Sequence, residues 1–508
     1  MRRIFSPTVR ITLGFVLLVL YLVPIGQAGN SVITRELSRG GTPMTLLMLD
    51  PQWRVERHAR EHEDEASDAL LTHPGEPTPA VIVVHGFAGS RPMMTGYGYT
   101  LAHAGYTVML IDLPGLGQSE LSFDRGAQVQ AIHDAYEVLR QQPEVDASRV
   151  GLLGHSMGAG AVIRAAMAAP ERYGATVAVS PTPEPVSAAT PRNLLLQAGG
   201  WESDFLANAN AILAEAGGAN QDFRSGRARE ARTIPRADHV GIVFRQASHH
   251  AARDWFDRAF EFQAAGVHSL SDWRIVGFLL HVLGWMLIVS ALAPNFLREP
   301  SREKDLMRRP MQWAGLAVGP LVATAVALAL GGVIDLVGLG GIVAGGALAF
   351  WFLISGVAYI LVAYRAPMPR FDDMVRGVGL FLFLAVALGA AGHLTWMNFA
   401  PTEARLLRWP VFALACIPWF VATELGQGDP RGTSRWAWWA AQSVTVIAGL
   451  VLLDRFHPGL GFSFLPVLPL YFAVFVYVGS KVRRPWAYGV GCGAYLGWVL
   501  AVAFPSIT

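Results

Sequence analysis

Charged residues are scarce in this chain of 508 residues, where they make up 15% of the sequence against 52% hydrophobic residues. A soluble protein normally carries about 25% charged residues, so part of the chain is expected to lie in lipid. The deficit is uneven, because residues 1–272 hold 51 of the 78 charged side chains. The sequence therefore predicts a water-soluble front half and a membrane-spanning back half.

Cysteines and basic clusters are also rare. The two cysteines, Cys416 and Cys492, both lie in apolar runs, which excludes a disulfide framework and a thiolate metal site. The net charge is +2 and no basic tract occurs, so nucleic acid is not an expected partner. No metal ion and no organic cofactor is implied, and the oligomeric state does not follow from the sequence.

Apolar runs of span length indicate a membrane domain. The first run, Ile11 to Val23, ends in small residues where a signal peptidase could cut, so a cleaved signal and a retained anchor both fit, and an anchor is favoured. Eight later runs are each long enough to cross about 30 Å of hydrocarbon. They lie at about 274–294, 312–332, 339–364, 376–397, 407–424, 436–454, 462–480 and 486–505.

The distribution of cations predicts the orientation of these nine spans. With a cytoplasmic N-terminus, 16 Lys and Arg residues fall in inner segments and four in the outer flanks, as the positive-inside rule requires. The expected organisation is an anchor or signal at 1–28, an extracytoplasmic domain at 29–270 and a membrane domain of about eight helices at 271–508. Two histidines inside spans, His281 and His393, are expected to hydrogen-bond within the bundle.

The source of the chain is predicted from its basic residues. Two lysines stand against 38 arginines, and alanine and glycine are abundant, which is typical of a GC-rich bacterial genome. The sequence thus predicts a multi-pass integral protein of a bacterial cell membrane, with the bilayer itself as one partner.

The soluble half carries the strongest chemical motif. Residues 80–260 alternate apolar runs with helical patterns, which predicts a mostly parallel sheet covered by helices on both faces. The sequence GHSMG at 154–158 lies between an apolar strand and a helix rich in Ala and Gly. A G-x-S-x-G sequence in that position forms a nucleophile elbow, because its glycines remove side chains that would collide at the turn. Ser156 is therefore a candidate nucleophile.

This half resembles an α/β-hydrolase domain, close to the dienelactone-hydrolase and prolyl-oligopeptidase-like branch. The resemblance rests on HGFAGS at 85–90, DLPGLGQS at 112–119 and VDASRVGLLGHSMGAG at 145–160. It implies the α/β-hydrolase fold, here joined to an all-α polytopic transmembrane bundle. It also implies a triad in the order serine, acid, histidine, with an oxyanion hole from the backbone N–H groups of Phe87 and Met157.

Two carboxylates are candidates for the acidic residue of the triad. The second strand after the elbow helix, Asn193 to Ala198, runs into a loop that contains both Glu202 and Asp204. Members of the family usually place the acid three residues after the glycine that ends the strand. Counted from Gly199, that position is Glu202, and Asp204 is the alternative.

More than one histidine is a candidate for the general base of the triad. His239 follows a strand predicted around 232–235, where the resemblance places the histidine of the triad. His249, or its neighbour His250, becomes the candidate if residues 240–244 form the last strand.

The predicted function is a membrane-anchored serine hydrolase that cleaves carboxylic esters through an acyl-enzyme on Ser156. Only a dozen residues separate Ser180 from Asn193, where larger relatives insert a cap, so the active-site mouth is either open to water or covered from outside the domain. Tethering at the outer membrane surface suggests a lipid or cell-envelope ester as the substrate. The alternatives are an acyltransferase with the same triad, a non-catalytic sensor or transporter component, and a serine peptidase.

Overall fold

The computed structural model of the chain consists of two compact units. It describes residues 6–50, 77–262, 270–296, 309–363, 368–427, 432–456, 467–482 and 484–507. The sheet unit comprises Val23–Ile275 and Leu394–Asn398. The helical unit comprises Met1–Leu22, Val276–His393 and Phe399–Thr508. The charged stretch 54–68, which the sequence predicts to be a solvated face, lies outside the described residues.

The sheet unit contains an eight-stranded sheet in the order β1-β2-β4-β3-β5-β6-β7-β8. Strands β1 and β4 run antiparallel to β2, and all other neighbours are parallel, so the predicted mostly parallel sheet is confirmed. Strands β3, β4, β6 and β7 are buried along their whole length, as expected of a sheet covered on both faces. The strands are β1 Val32–Arg39, β2 Thr42–Leu49, β3 Thr78–Val84, β4 Thr107–Ile111, β5 Val145–His155, β6 Ala175–Val179, β7 Leu194–Gly199 and β8 Arg229–Ile234.

Alternate residues of each central strand bury their side chains in opposite faces of the sheet. In β3, Val81 and Val83 join the core on one face, whereas Ile82 and Val84 join the core on the other. Each such side chain contributes about 1.5–3 kcal/mol on burial. The covering helices are α2 Arg91–His103, α3 Arg125–Leu139, α4 Met157–Ala168, α5 Ser203–Glu215 and α6 Gln246–Phe260.

The remaining helices are mostly long and apolar. Among the described residues, eight helices are long and apolar enough to cross a membrane. A ninth apolar helix, Leu468–Val482, has 15 residues, and residues 457–466 before it are not described. The helices are α1 Pro7–Gly29, α7 Arg274–Phe296, α8 Arg309–Leu330, α9 Gly345–Ala363, α10 Phe371–Leu384, α11 Glu403–Gln427, α12 Gly432–Phe456, α13 Leu468–Val482 and α14 Pro485–Ala503. Helix α10 continues through a π-helical turn, Ala385–Ala390, to His393.

Two predicted elements differ from the structure. The span predicted at 339–364 becomes an α-helix only at Gly345, because Gly340 and Gly341 adopt φ values of 69° and 74° that an α-helix does not contain. Residues Gly241–Phe244 form a 3-10 turn, so the alternative in which 240–244 is the last strand is wrong.

The two histidines inside predicted spans both make hydrogen bonds. His281 Nε2 accepts the indole N–H of Trp285 at 2.9 Å, and the ring of Tyr21 lies 4.6 Å from the imidazole. His393 Nδ1 accepts the backbone N–H of Phe399 at 3.2 Å. These contacts agree with the expected packing role.

Candidate active site

Ser156 occupies a sharp turn between β5 and α4. Its backbone has φ 54° and ψ −118°, a conformation that residues other than glycine rarely adopt. A Cβ atom at Gly154 would lie 2.2 Å from the carbonyl oxygen of Gly158, and one at Gly158 would lie 2.4 Å from the carbonyl oxygen of His85. Only glycine fits at either position. The local sequence therefore forces the strained turn that presents the Ser156 hydroxyl at the carboxyl edge of the sheet.

The imidazole of His239 lies beside this hydroxyl. His239 follows β8, and its Nε2 is 2.9 Å from Ser156 Oγ. The ring of Phe205 stacks on the imidazole at a centroid distance of 4.1 Å. On the backbone side, His155 Nε2 lies 2.9 Å from the carbonyl oxygen of His239. Both the ring and the main chain of His239 are therefore fixed relative to the turn.

Glu202 supplies a carboxylate on the far side of the imidazole. Its Oε1 accepts a hydrogen bond from His239 Nδ1 at 2.6 Å. Its Oε2 accepts the backbone N–H of Gly199 at 2.5 Å and the hydroxyl of Ser180 at 2.9 Å. The carboxylate is 2% exposed, and three donors compensate its burial. Because Nδ1–H is held by Glu202, Nε2 is left to accept the proton of Ser156.

The alternative acid and bases lie elsewhere. Asp204 is exposed in the first turn of α5, where it accepts a hydrogen bond from the hydroxyl of Ser203. His249 and His250 lie within α6, and His249 is buried with Nε2 donating to the carbonyl oxygen of Val243 at 2.7 Å. Burial lowers the pKa of His249 to about 4, which keeps the ring neutral. The structure brings none of these side chains to Ser156.

The two proposed oxyanion donors flank the nucleophile turn. Met157 is the first residue of α4, so its N–H belongs to the helix N-terminal amides that have no acceptor within the helix. Phe87 lies in a tight turn in which the Gly89 N–H donates to the Gly86 carbonyl at 3.1 Å. A Cβ atom at Gly86 would lie 3.1 Å from Cβ of Ser156. The turn that carries Phe87 therefore packs directly against the candidate nucleophile.

Buried polar contacts hold that turn to the loop after β4. His85 Nδ1 donates to the carbonyl oxygen of Gly86 at 2.8 Å, and its Nε2 accepts the backbone N–H of Leu113 at 3.1 Å. Burial lowers the pKa of His85, so the ring is neutral as these two bonds require. Asp112 binds Arg91 through the backbone N–H at 2.8 Å and through Nε at 2.9 Å. These contacts connect the turn that carries Phe87 to the loop after β4.

Sequence reasoning missed Ser180 and Phe205. Ser180 directly follows β6, and Glu202 follows the neighbouring strand β7. The carboxyl ends of parallel strands meet at one edge of the sheet, so a hydroxyl after β6 could have been recognised as a partner for the acid. The stacking of Phe205 on His239 had no signal in the sequence. In the described part of the chain, no group of three His, Cys, Asp or Glu side chains could hold a metal ion.

Comparison with known proteins identifies the class of this domain. Residues 79–231 match the model of the family described as alpha/beta hydrolase fold. Together with the sheet order, this match shows that the sheet unit has the α/β-hydrolase fold, and it supports a hydrolase as the class of protein.

A curated relative is the 2-hydroxy-6-oxononadienedioate/2-hydroxy-6-oxononatrienedioate hydrolase of Cupriavidus pinatubonensis. It is 33% identical over 103 residues, which are 19% of this chain and 34% of the relative, so the match spans about a third of that protein. Among solved structures, a dienelactone hydrolase from Anabaena variabilis is 21% identical with a TM-score of 0.32, covering 46% of this chain and 98% of its own. A membrane phospholipase A described as a bacterial virulence factor is 13% identical with a TM-score of 0.33, covering 49% and 93%.

Proposed function

We propose that this protein is a membrane-anchored serine hydrolase that cleaves carboxylic esters. The observation that carries the proposal is the continuous hydrogen-bonded chain from Ser156 Oγ to His239 at 2.9 Å and from His239 to Glu202 at 2.6 Å. In this arrangement Ser156 is the nucleophile, His239 is the general base and Glu202 holds the imidazole in the required tautomer.

Acylation follows from the hydrogen-bond directions. Ser156 Oγ attacks the ester carbonyl carbon while its proton moves to Nε2 of His239, and the Glu202 carboxylate stabilises the imidazolium. The carbonyl oxygen becomes an oxyanion, which the N–H groups of Phe87 and Met157 bind. Each such donor contributes about 3–4 kcal/mol to the transition state. Collapse breaks the ester C–O bond, and the leaving alcohol takes the proton from His239.

Deacylation repeats the cycle with water. His239 accepts a proton from a water molecule whose oxygen attacks the acyl carbonyl carbon on Ser156. The second tetrahedral intermediate breaks its bond to Ser156 Oγ, which recovers the proton from His239. The products are a carboxylic acid and an alcohol, and the enzyme returns to its starting state.

The proposal extends to the location and the substrate class. The eight long apolar helices support anchoring in a membrane. The excess of cations in the predicted inner segments supports a sheet unit outside the cytoplasm. A domain held at that surface, with no cap inserted between Ser180 and Asn193, suits an ester of a lipid or of the cell envelope.

A fluorophosphonate probe tests the chemistry, because it reacts only with an activated serine. The wild-type protein and a control, Ser148→Ala at an exposed serine of the same unit, should be labelled, whereas Ser156→Ala should not. Equal labelling of Ser156→Ala would remove Ser156 from this role, and no labelling of the wild type would favour a non-catalytic sensor. Free acid as the product from p-nitrophenyl butyrate distinguishes hydrolysis from acyl transfer to an added alcohol.

Cysteine accessibility tests the orientation. Both native cysteines are buried and should not react with a maleimide. Labelling of a cysteine introduced at the exposed residue Asp222 therefore shows on which side of the membrane that residue lies. A membrane-impermeant maleimide should label Asp222→Cys in intact spheroplasts. Labelling only after lysis would place the sheet unit in the cytoplasm and contradict this part of the proposal.

A further inference from the structure

A short segment from the C-terminal half of the sequence, Leu394–Asn398, folds as part of the sheet unit. Within this segment Thr395, Met397 and Asn398 are all buried. Three of the five residues of this segment are therefore shielded from solvent.

The segment donates a hydrogen bond to Ser90, whose hydroxyl would be expected to cap a helix instead. The backbone N–H of Asn398 donates to Ser90 Oγ at 2.8 Å. Ser90 is the N-cap residue of α2, where a serine hydroxyl normally accepts an amide hydrogen bond from the first turn of the helix. Here the hydroxyl makes no capping bond to α2, all of which the structure describes. It is committed instead to Asn398.

Ser90 ends the turn that carries the proposed oxyanion donor Phe87. At the other end of this turn, His85 is fixed by the N–H of Leu113 at 3.1 Å. Phe87 therefore lies between two anchoring points, one provided by the loop after β4 and the other by Asn398. Only the second comes from a part of the chain that is distant in sequence, with 308 positions between Ser90 and Asn398.

We propose that Leu394–Asn398 is a positioning element for the oxyanion turn and acts through the hydrogen bond from Asn398 N–H to Ser90 Oγ. The inference rests on the proposed function. An oxyanion donor must lie about 2.7–3.1 Å from the charge that develops in the transition state, so a small displacement of Phe87 weakens transition-state binding. Ground-state binding of the ester does not depend on this donor. The contact therefore controls kcat more than KM.

The test uses the full-length protein with substitutions at Ser90. Ser90→Ala removes the acceptor without removing a helix cap, and Ser90→Thr retains the hydroxyl. Ser119→Ala is the matched control, because the buried Ser119 hydroxyl donates to the carbonyl oxygen of Gly41 at 3.1 Å in the same unit. Outright loss of an oxyanion donor costs about 10²–10³ in kcat, so displacing one should cost about tenfold.

The expected result is a fall of about tenfold in kcat on p-nitrophenyl butyrate and in the rate constant of fluorophosphonate labelling for Ser90→Ala. KM should stay within about twofold, and Ser90→Thr and Ser119→Ala should behave like the wild type. Wild-type kinetics in Ser90→Ala, or an equal loss in Ser119→Ala, would overturn the inference and leave the proposed function intact. A wild-type protein that neither hydrolyses esters nor reacts with the probe would contradict both the proposed function and this inference.

Hydrogen exchange provides a readout that does not need activity. The amide of Asn398 should be protected in the wild-type protein and should exchange faster in Ser90→Ala. Unprotected exchange at Asn398 in the wild type would show that the contact is absent, and the inference would fail whatever the activity.

Discussion

Replacing Glu202 by glutamine tests the candidate site most directly, because the two side chains have the same shape. Glutamine has one carbonyl oxygen and one NH₂ group, whereas the carboxylate of Glu202 accepts three hydrogen bonds from donors. The N–H of Gly199, at 2.5 Å, needs an acceptor and so favours the amide oxygen on its side. The NH₂ group then faces Nδ1 of His239.

The expected loss of kcat in Glu202→Gln follows from the histidine tautomer that this arrangement imposes. An NH₂ donor at Nδ1 requires that nitrogen to accept, so Nε2 of His239 carries the proton and cannot take the one on Ser156. A wrong tautomer of this kind costs about 10⁴ in kcat. At 1.36 kcal/mol per tenfold change, the loss corresponds to about 5 kcal/mol of transition-state stabilisation.

The assay is steady-state hydrolysis of p-nitrophenyl butyrate by the full-length protein in detergent, with Asp204→Asn as the matched control. Asp204 is exposed, so its variant should stay within about twofold of the wild type. The thermal midpoint of each variant verifies that the fold is retained. A large loss in Asp204→Asn, or a Glu202→Gln variant within tenfold of the wild type, would refute the assignment of the acid.

Two further predictions concern the same unit. Ser180→Ala removes one of the donors to Glu202 and leaves a buried carboxylate underbonded, at a cost of about 1–3 kcal/mol in folding stability. Glu202 is then held less firmly against His239, so kcat should also fall with little change in KM, and an unchanged kcat would mean that this bond does not support the site. Burial lowers the pKa of His155 to about 3 and that of His249 to about 4, against about 6.5 in an unfolded chain. Their neutral forms therefore stabilise the fold above pH 6.5, and this stability is lost as the pH falls toward those values, by about 2 kcal/mol for each histidine at pH 5. The urea midpoint of unfolding, followed by tryptophan fluorescence without changing the pH, should be lower at pH 5 than at pH 7.5, and equal midpoints would contradict the prediction.

The elbow and the apolar helices could be predicted because their signals are local. A Cβ at Gly154 would collide with the backbone four residues away, so a few consecutive residues are enough to specify the turn at Ser156. Helix length and hydropathy are likewise properties of continuous segments, and eight described helices match predicted spans in that respect. The boundary of the span at Gly345 was missed because it depends on the backbone of two glycines with positive φ.

The sequence reduced the candidates for the triad acid and base to a few residues, and the structure distinguished between them. Glu202 and Asp204 are two residues apart on the same loop, and composition does not distinguish them. The fold does so, because the Glu202 carboxylate accepts the Gly199 N–H and lies beside the imidazole of His239. Asp204 is exposed in the first turn of α5. His239 and His249 differ in the same way, since one follows β8 at the sheet edge and the other is buried in α6.

By itself, the amino-acid sequence determined the strained serine turn, the buried parallel strands and the apolar helices, because each depends on residues that are close together along the chain. Only the tertiary structure decided which imidazole lies beside Ser156, which carboxylate binds that imidazole, that Ser180 donates to Glu202, and that Asn398 donates to Ser90. The physical reason is distance along the chain: His239 is 83 positions from Ser156, and Asn398 is 308 positions from Ser90. Contacts of that separation form only when strands and helices pack, and no local pattern encodes them.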